Sequence, residues 1–173
     1  MTTALDPTAT VPRPIEPGPE MVALQRFYPD VTWTGTVCAG GMGPGTPPMT
    51  ATGRGTHELI QDGRWIVGTY RQEQYLTDGT WQLHWVVGWD PTSQEYRATI
   101  ADNYGHADVM RGWIDGDQLV FETVTAAPVR LRMVWDATDP ADIVWRNESS
   151  LDDTDWTLVE AYHLTPVTGA VTG

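Results

Sequence analysis

The sequence contains no lysine and only one cysteine. All 10 basic residues are arginines, so neither a Schiff-base lysine nor a P-loop lysine is available, and the enzymes that need one are excluded. Cys38 has no second cysteine to pair with, which excludes an internal disulfide and a thiolate metal site. A chain of 173 residues suits one domain and can bury a sizeable core, so it needs neither of these to fold.

Long apolar runs are also missing. No stretch approaches the ~18 apolar residues of a membrane span, and the N-terminus has neither the basic region nor the apolar region of a signal peptide.

Positive charge is scarce, since the chain has 23 acidic residues and 10 basic ones and the formal net charge is −13. A field of that sign repels nucleic acid and anionic membrane surfaces. We therefore expect a cytoplasmic protein that binds neither nucleic acid nor membranes.

Tryptophan, in contrast, is abundant, with 9 residues in the chain. Its side chain is large, rigid and amphipathic, and it suits both the core of a small β-barrel and the wall of a pocket. The composition leaves these two roles open. The use of arginine, alanine, aspartate, threonine and valine without lysine indicates a high-GC genome, such as that of an actinobacterium.

From residue 31 onward, short β-strand patterns alternate with turn signals. Asp-Gly pairs at 62–63, 78–79 and 115–116 lie between β-branched runs, which is a strong hairpin signal. Strands in series without βαβ alternation predict an antiparallel meander, and closure is the simplest way for it to remove its two edges. The ten predicted strands span 31–38, 50–60, 64–72, 81–89, 95–101, 107–114, 119–124, 129–135, 143–149 and 156–163.

The two ends of the chain differ from this pattern. Residues 1–17 are rich in proline and threonine without periodicity, which predicts a disordered arm, and residues 166–173 are predicted to form a flexible tail. Residues 18–28 carry apolar side chains at helical spacing and precede Pro29, which predicts a short helix against one end of the barrel. The predicted fold is therefore all-β: a single antiparallel up-and-down β-barrel of about ten strands with a short N-terminal helix, over residues 18–165.

A run of short motifs points to a known family. The motifs are Trp-Thr-Gly-Thr at 33–36, Pro-Met-Thr at 48–50, Gly-Arg-Gly-Thr-His-Glu at 53–58, Asp-Gly-Arg-Trp-Ile-Val at 62–67, Gly-Trp-Asp-Pro at 88–91 and Asp-Asn-Tyr-Gly at 102–105. In this order they resemble the DUF1579 family of the calycin superfamily, which is related in architecture to nitrobindins and fatty-acid-binding proteins. The chain departs from the family pattern at Ile100 and Tyr104, where tryptophan and methionine are usual. The resemblance implies a calycin-like barrel with an enclosed cavity and no defined reaction.

Motifs for metals and common nucleophiles are absent from the sequence. His57, His84, His106 and His163 form neither a His-x-His nor a HExxH pattern, so we predict no metal site. Haem binding of the nitrobindin kind would need a proximal histidine; His163 is the candidate, and nothing in the motif around it favours that role. We therefore expect no cofactor. A serine hydrolase is excluded because Gly-x-Ser-x-Gly does not occur.

Alternation along the strands predicts which side chains line the cavity. The predicted aromatic lining residues are Trp33, Tyr70, Trp85, Trp145 and Tyr162. The predicted polar groups are His57 and Glu160, which together with Tyr70 form the candidate catalytic set. A glutamate among inward aromatic residues either pairs with an arginine or has a raised pKa.

Two segments are candidates for the mouth of the barrel. The turn at 102–106 presents Asp102, Asn103 and His106 as ligand-binding residues, although aspartate and asparagine also occur in such turns for their geometry. The loop at 39–49 is long and rich in glycine and proline, which predicts the rim of the opening or a flexible hairpin tip.

Arginines and glutamates cluster on neighbouring strands. Arg130 and Arg132 share a strand face, Arg146 lies on the next strand, and Glu122, Glu148 and Glu160 occupy the flanking strands. On the outer wall these residues would form cross-strand ion pairs, which is the preferred interpretation. Pointing inward, the same residues would bind a carboxylate or enolate headgroup.

Two functions follow for an apolar small molecule held inside the barrel. The first is a cofactor-free cyclase or isomerase of secondary, polyketide-type metabolism, which would work by folding its substrate into a reactive conformation. The second is a non-catalytic carrier or sensor of a hydrophobic ligand. A packed barrel that serves as an interaction domain is a third alternative, and it would lack a cavity of ~300 Å³ or more. The sequence leaves open whether the protein forms a homodimer.

Overall fold

The computed structural model describes residues 16–75, 79–124 and 128–167 and confirms the all-β prediction. The predicted disordered arm and flexible tail fall largely on residues 1–15 and 168–173, outside the described ranges. The elements are α1 (Pro19–Gln25), β1 (Val31–Val37), β2 (Met49–Ile60), β3 (Trp65–Tyr75), β4 (Gly79–Asp90), β5 (Glu95–Asp102), β6 (Ala107–Asp115), β7 (Gln118–Thr123), β8 (Arg130–Asp136), β9 (Ile143–Ser150) and β10 (Thr157–Pro166).

The ten strands form a closed antiparallel barrel. Each strand pairs with the next along the chain, and β1 also pairs with β10. This seam runs from Val31 opposite Pro166 to Val37 opposite Glu160. Because Pro166 still pairs across the seam, β10 extends one residue into the segment predicted as a tail. Closure gives every strand two neighbours, so the sheet has no edge strand with unpaired backbone N–H and C=O groups.

A β-bulge in β10 changes the face that its side chains present. The register against β9 shifts between Leu158 and Glu160. Leu158 is 43% exposed, whereas Glu160 is 8% exposed and Tyr162 is also buried. Regular alternation along the strand would place Leu158 and Glu160, two positions apart, on the same face, and it fails here because the extra residue of a bulge inverts the alternation.

The helix α1 lies at one end of the barrel, as the sequence predicted. Its first turn begins with Pro19, whose fixed φ suits that position. The Trp85 indole N–H donates to the Tyr28 hydroxyl at 3.0 Å, and the Tyr96 hydroxyl donates to the Glu20 carbonyl at 2.9 Å. The buried side chains of this segment are Met21, Leu24, Phe27 and Tyr28. In the described ranges no helix has the length and apolar character that crossing a bilayer requires.

The arginine and glutamate cluster lies on the outer wall. Arg132 and Arg146 both donate through Nε to the Glu148 carboxylate, at 2.7 and 3.1 Å. The Arg132 guanidinium also lies 4.1 Å from the centre of the Trp156 ring. The preferred outer-wall interpretation is thus confirmed for these two arginines, and an inward arginine site is wrong for them. It is wrong for Glu160, which is 8% exposed and lines the interior of the barrel instead of pairing with an arginine outside.

Candidate functional site

The barrel contains a cavity of about 670 Å³. The helix α1 lies at the end of the barrel below it, and the loops that follow β1 and β5 lie at the other end, the mouth. A cavity of this size is typical of small-molecule sites and argues against a fully packed interaction domain. Its aromatic lining residues are Trp33, Tyr70, Trp81, Trp85, Trp135, Trp145 and Tyr162.

Most of the residues that the sequence singled out lie around this cavity. The predicted residues that line it are Trp33, Tyr70, Trp85, Asp102, His106, Trp145, Glu160 and Tyr162. His57 and Asn103 are not among the lining residues. Asn103 serves the turn instead, because its Oδ1 accepts the Gln82 backbone N–H at 2.8 Å and its Nδ2 donates to the Thr80 carbonyl at 3.0 Å.

A buried polar cluster surrounds Glu160 in the cavity wall. The Asn147 Nδ2 group donates to Glu160 Oε1 at 3.1 Å, and the Tyr162 hydroxyl donates to Oε2. Burial raises the pKa of Glu160, while these two hydrogen bonds act in the opposite direction. Asn147 is 8% exposed, and its Oδ1 has no hydrogen-bond partner among the described residues. The cluster therefore holds a carboxyl group and a free acceptor side by side.

A second carboxylate, Asp102, lies at the mouth. It accepts the Trp81 indole N–H at 3.1 Å, the backbone N–H groups of Tyr104 and His106 at 2.9 Å each, and approaches His106 Nδ1 at 3.1 Å. Burial disfavours the charged form, but these hydrogen bonds outweigh it and hold the pKa of Asp102 below its usual value. Asp102 is thus an ionised group at neutral pH.

The loop between β1 and β2 forms part of the rim. Gly40 and Gly43 adopt positive φ angles of 78° and 118°, which glycine accommodates. The Gly40 N–H donates to the Thr46 carbonyl at 2.8 Å, so the loop is folded on itself. Its residues Gly40, Gly41, Met42 and Gly43 lie against the cavity, as the rim prediction requires.

His57 lies below the cavity, behind Tyr70. Its Nε2 is 2.7 Å from the Tyr70 hydroxyl, and its ring centre is 5.3 Å from that of Tyr28. Burial lowers the pKa of His57 to about 4, against the opposing effects of the Pro29 backbone and Asp30. Burial also raises the pKa of Tyr70. The pair is neutral at pH 7 and touches the cavity through Tyr70.

Sequence reasoning missed several lining residues. Gln72 lies two positions beyond Tyr70 on β3, and Asn147 lies two positions beyond Trp145 on β9. Period-two alternation continued along each strand would have found both. Trp135 faces Trp145 across the β8–β9 ladder, which the sequence does not reveal without the register.

The structure also places the histidine considered for haem. His163 lies on the outer wall, with its side chain 62% exposed and Nδ1 3.0 Å from Asp142. It cannot ligate a group inside the barrel from that position. Within the described ranges, no three His, Cys, Asp or Glu side chains are grouped so that they could hold a metal ion.

Comparison with known proteins agrees with this architecture. The crystal structure of Rv2717c from M. tuberculosis superposes with a TM-score of 0.60, covering 88% of this chain and 99% of that chain at 11% identity. At that identity the likeness shows the fold alone. No curated protein matches the chain. The pattern of a family described as "Protein of unknown function (DUF1579)" matches residues 16–169. Since this match spans most of the chain, the protein belongs to the DUF1579 family.

Proposed function

We propose that this protein binds an apolar small molecule inside its barrel. The cavity of about 670 Å³ carries this proposal, because it is surrounded by the closed barrel and walled by aromatic and aliphatic side chains. Ligand sites of this kind combine apolar walls with a few polar groups that fix the orientation of the ligand. The calycin relationship, which the sequence motifs imply, belongs to the same proposal.

The two zones of the cavity suggest how a ligand would lie. The aromatic walls would hold its apolar body, and the cluster of Glu160, Asn147 and Tyr162 would hold one polar group. Burying ~200 Å² of apolar ligand surface contributes about 5 kcal/mol before the entropic cost of association is subtracted. Affinity would thus come from the walls and orientation from the polar cluster.

A finer proposal is that the protein is a cofactor-free cyclase or isomerase. Glu160 supports it, because a buried carboxyl group whose pKa is raised by desolvation holds its proton more readily and can transfer it to a bound substrate. The cavity walls would bring the reacting atoms of a folded chain together. A carrier would use the same contacts without changing its ligand, so the recovered molecule distinguishes the two functions.

Binding can be tested with Nile red, a neutral apolar dye whose emission responds to its surroundings. Ser149→Trp places a large ring in the cavity lining, whereas Val109→Trp adds the same ring at an outer-wall position that is already 42% exposed. We expect the cavity variant to weaken dye binding at least about tenfold and the outer variant to leave it unchanged. Equal affinities in all three proteins would refute an interior site.

Catalysis can be tested on the molecule that the protein itself retains. Native mass spectrometry of purified Glu160→Gln protein, in which a substrate would accumulate unconverted, followed by denaturing extraction, would give the mass of a bound ligand. A compound that returns chemically changed after incubation with wild-type protein, and unchanged after incubation with Glu160→Gln, would support the cyclase or isomerase. If the compound is unchanged after incubation with either protein, the result would support the carrier function and contradict the cyclase or isomerase.

A further inference from the structure

We propose that the ligand is an amphiphilic organic amine, bound as a cation with its ammonium group at Glu160 and Asn147 and its apolar body along the aromatic walls. This inference rests on the proposed function, since it names the class of molecule that the same cavity would take.

The charged groups along the cavity are predominantly acidic. Glu160 lies in the wall, and Asp102 and Asp108 lie at the mouth. No arginine is found among the described lining residues, and the whole sequence lacks lysine. Among the described lining residues the basic side chain is His106, which is 78% exposed and paired with Asp102. A ligand carboxylate would therefore meet like charge on entry and find no cationic partner inside.

Glu160 lacks a compensating positive charge from the described residues. Its two hydrogen bonds come from the neutral groups of Asn147 and Tyr162. A carboxylate that is 8% exposed is costly to ionise unless a cation is nearby. A bound ammonium would supply that cation, so ligand binding and ionisation of Glu160 would favour each other.

Asn147 gives an independent indication of a hydrogen-bond donor on the ligand. Its Nδ2 donates to Glu160, which fixes the orientation of the amide. Its Oδ1, on a side chain more than nine-tenths buried, has no partner among the described residues. Buried acceptors are normally satisfied. An ammonium group has three N–H donors and can bond to this oxygen and to Glu160 together.

Aromatic rings surround the same cluster. Tyr162 stacks on Trp145 with ring centres 5.0 Å apart, and Trp33 lies 6.2 Å from Tyr162 on a nearly parallel plane. Electron-rich faces of tryptophan and tyrosine attract organic cations within about 6 Å. The surroundings of Glu160 therefore favour a cation more than an anion, and they also suit the apolar carbons attached to it.

Three probes with one skeleton test the inference: decylamine, decan-1-ol and decanoate, each used near neutral pH, the two ions below their micelle-forming concentrations and the alcohol below its solubility limit. Isothermal titration calorimetry would give their affinities for wild-type protein, Glu160→Gln and Glu148→Gln. The last variant removes the same formal charge from the outer wall, where Glu148 pairs with Arg132 and Arg146. Circular dichroism would establish that each variant is folded.

We expect wild-type protein to bind decylamine about tenfold more tightly than decan-1-ol, and decanoate most weakly. Glu160→Gln should abolish the preference for the amine and still bind the alcohol. Glu148→Gln should show the same affinities as wild type. If the wild-type protein binds the alcohol as tightly as the amine, or if Glu160→Gln keeps the preference, the inference is wrong and the binding function stands. If none of the three probes binds and Nile red does not bind either, the proposed function itself fails.

Discussion

Replacing His57 by glutamine should reduce the loss of stability that this protein suffers as the pH falls from 6.5 to about 4. The His57 ring lies against Tyr28, and its Nε2 is 2.7 Å from the Tyr70 hydroxyl. Burial lowers the pKa of His57 from 6.5 to about 4. Between these two pH values, His57 is therefore neutral in the folded protein and protonated in the unfolded chain.

The magnitude follows from the difference in proton binding. Between pH 6.5 and about 4, His57 binds a proton in the unfolded chain and remains neutral in the folded protein. Its contribution to stability is fully present above pH 6.5 and is lost as the pH falls toward 4. At 1.36 kcal/mol per pKa unit, a gap of roughly 2.5 units amounts to about 3 kcal/mol.

The assay is urea unfolding followed by tryptophan fluorescence at a series of pH values across this window. Glutamine keeps a neutral polar side chain but does not titrate, so the stability of His57→Gln should decline about 3 kcal/mol less than that of wild type. His84→Gln is the matched control, because His84 is exposed on the outer wall. Carboxylates with lowered pKa values, such as Asp102, are common to all three proteins and cancel in the comparison. Identical pH profiles for wild type and His57→Gln would refute the reasoning.

Two further predictions concern packing below and beside the cavity. Gly53→Ala should lower the free energy of unfolding by about 1–3 kcal/mol, because its Cβ would lie 2.2 Å from Trp33 Cζ2 and 2.5 Å from the Arg71 carbonyl oxygen. Urea titration measures this loss, with Thr52→Ala, a substitution at an exposed position, as the control. Equal losses of stability in the two variants would contradict the prediction. Tyr28→Phe should cost about 1–3 kcal/mol, because it leaves the buried Trp85 indole N–H without its acceptor; an unchanged thermal midpoint would show that this hydrogen bond does not help to hold the α1 segment in place.

The strand pattern was predictable because its signals are local. Asp-Gly pairs mark hairpins through backbone conformations that other residues adopt with difficulty, and β-branched and aromatic runs mark the strands between them. The predicted strand 107–114 became β6 (Ala107–Asp115), and 143–149 became β9 (Ile143–Ser150). The observed strand ends differ from the predicted ones by one residue. A strand ends where its hydrogen bonding to the neighbouring strand stops, and that point depends on both strands.

The candidate site was predictable only in part. Trp33, Tyr70 and Trp85 line the cavity because alternation along regular strands carries over to the folded barrel. Asn103 belongs to the turn at the mouth, as predicted, but its side chain does not line the cavity. Its Oδ1 and its Nδ2 each form a hydrogen bond with the neighbouring backbone. Its side-chain chemistry suits a turn and a ligand equally, so the residue type did not decide between them.

The sequence by itself determined an acidic, lysine-free, all-β chain whose strands are short, sequential and rich in tryptophan. The tertiary structure decided which carboxylates face the interior. Glu148 and Glu160 lie on adjacent strands, yet Glu148 pairs with arginines outside while Glu160 is buried inside, across a bulge between Leu158 and Glu160. A shift of one residue sends a side chain to the opposite face of a sheet, so only the register of the closed barrel could place Glu160 beside Asn147 and create the polar cluster of the cavity.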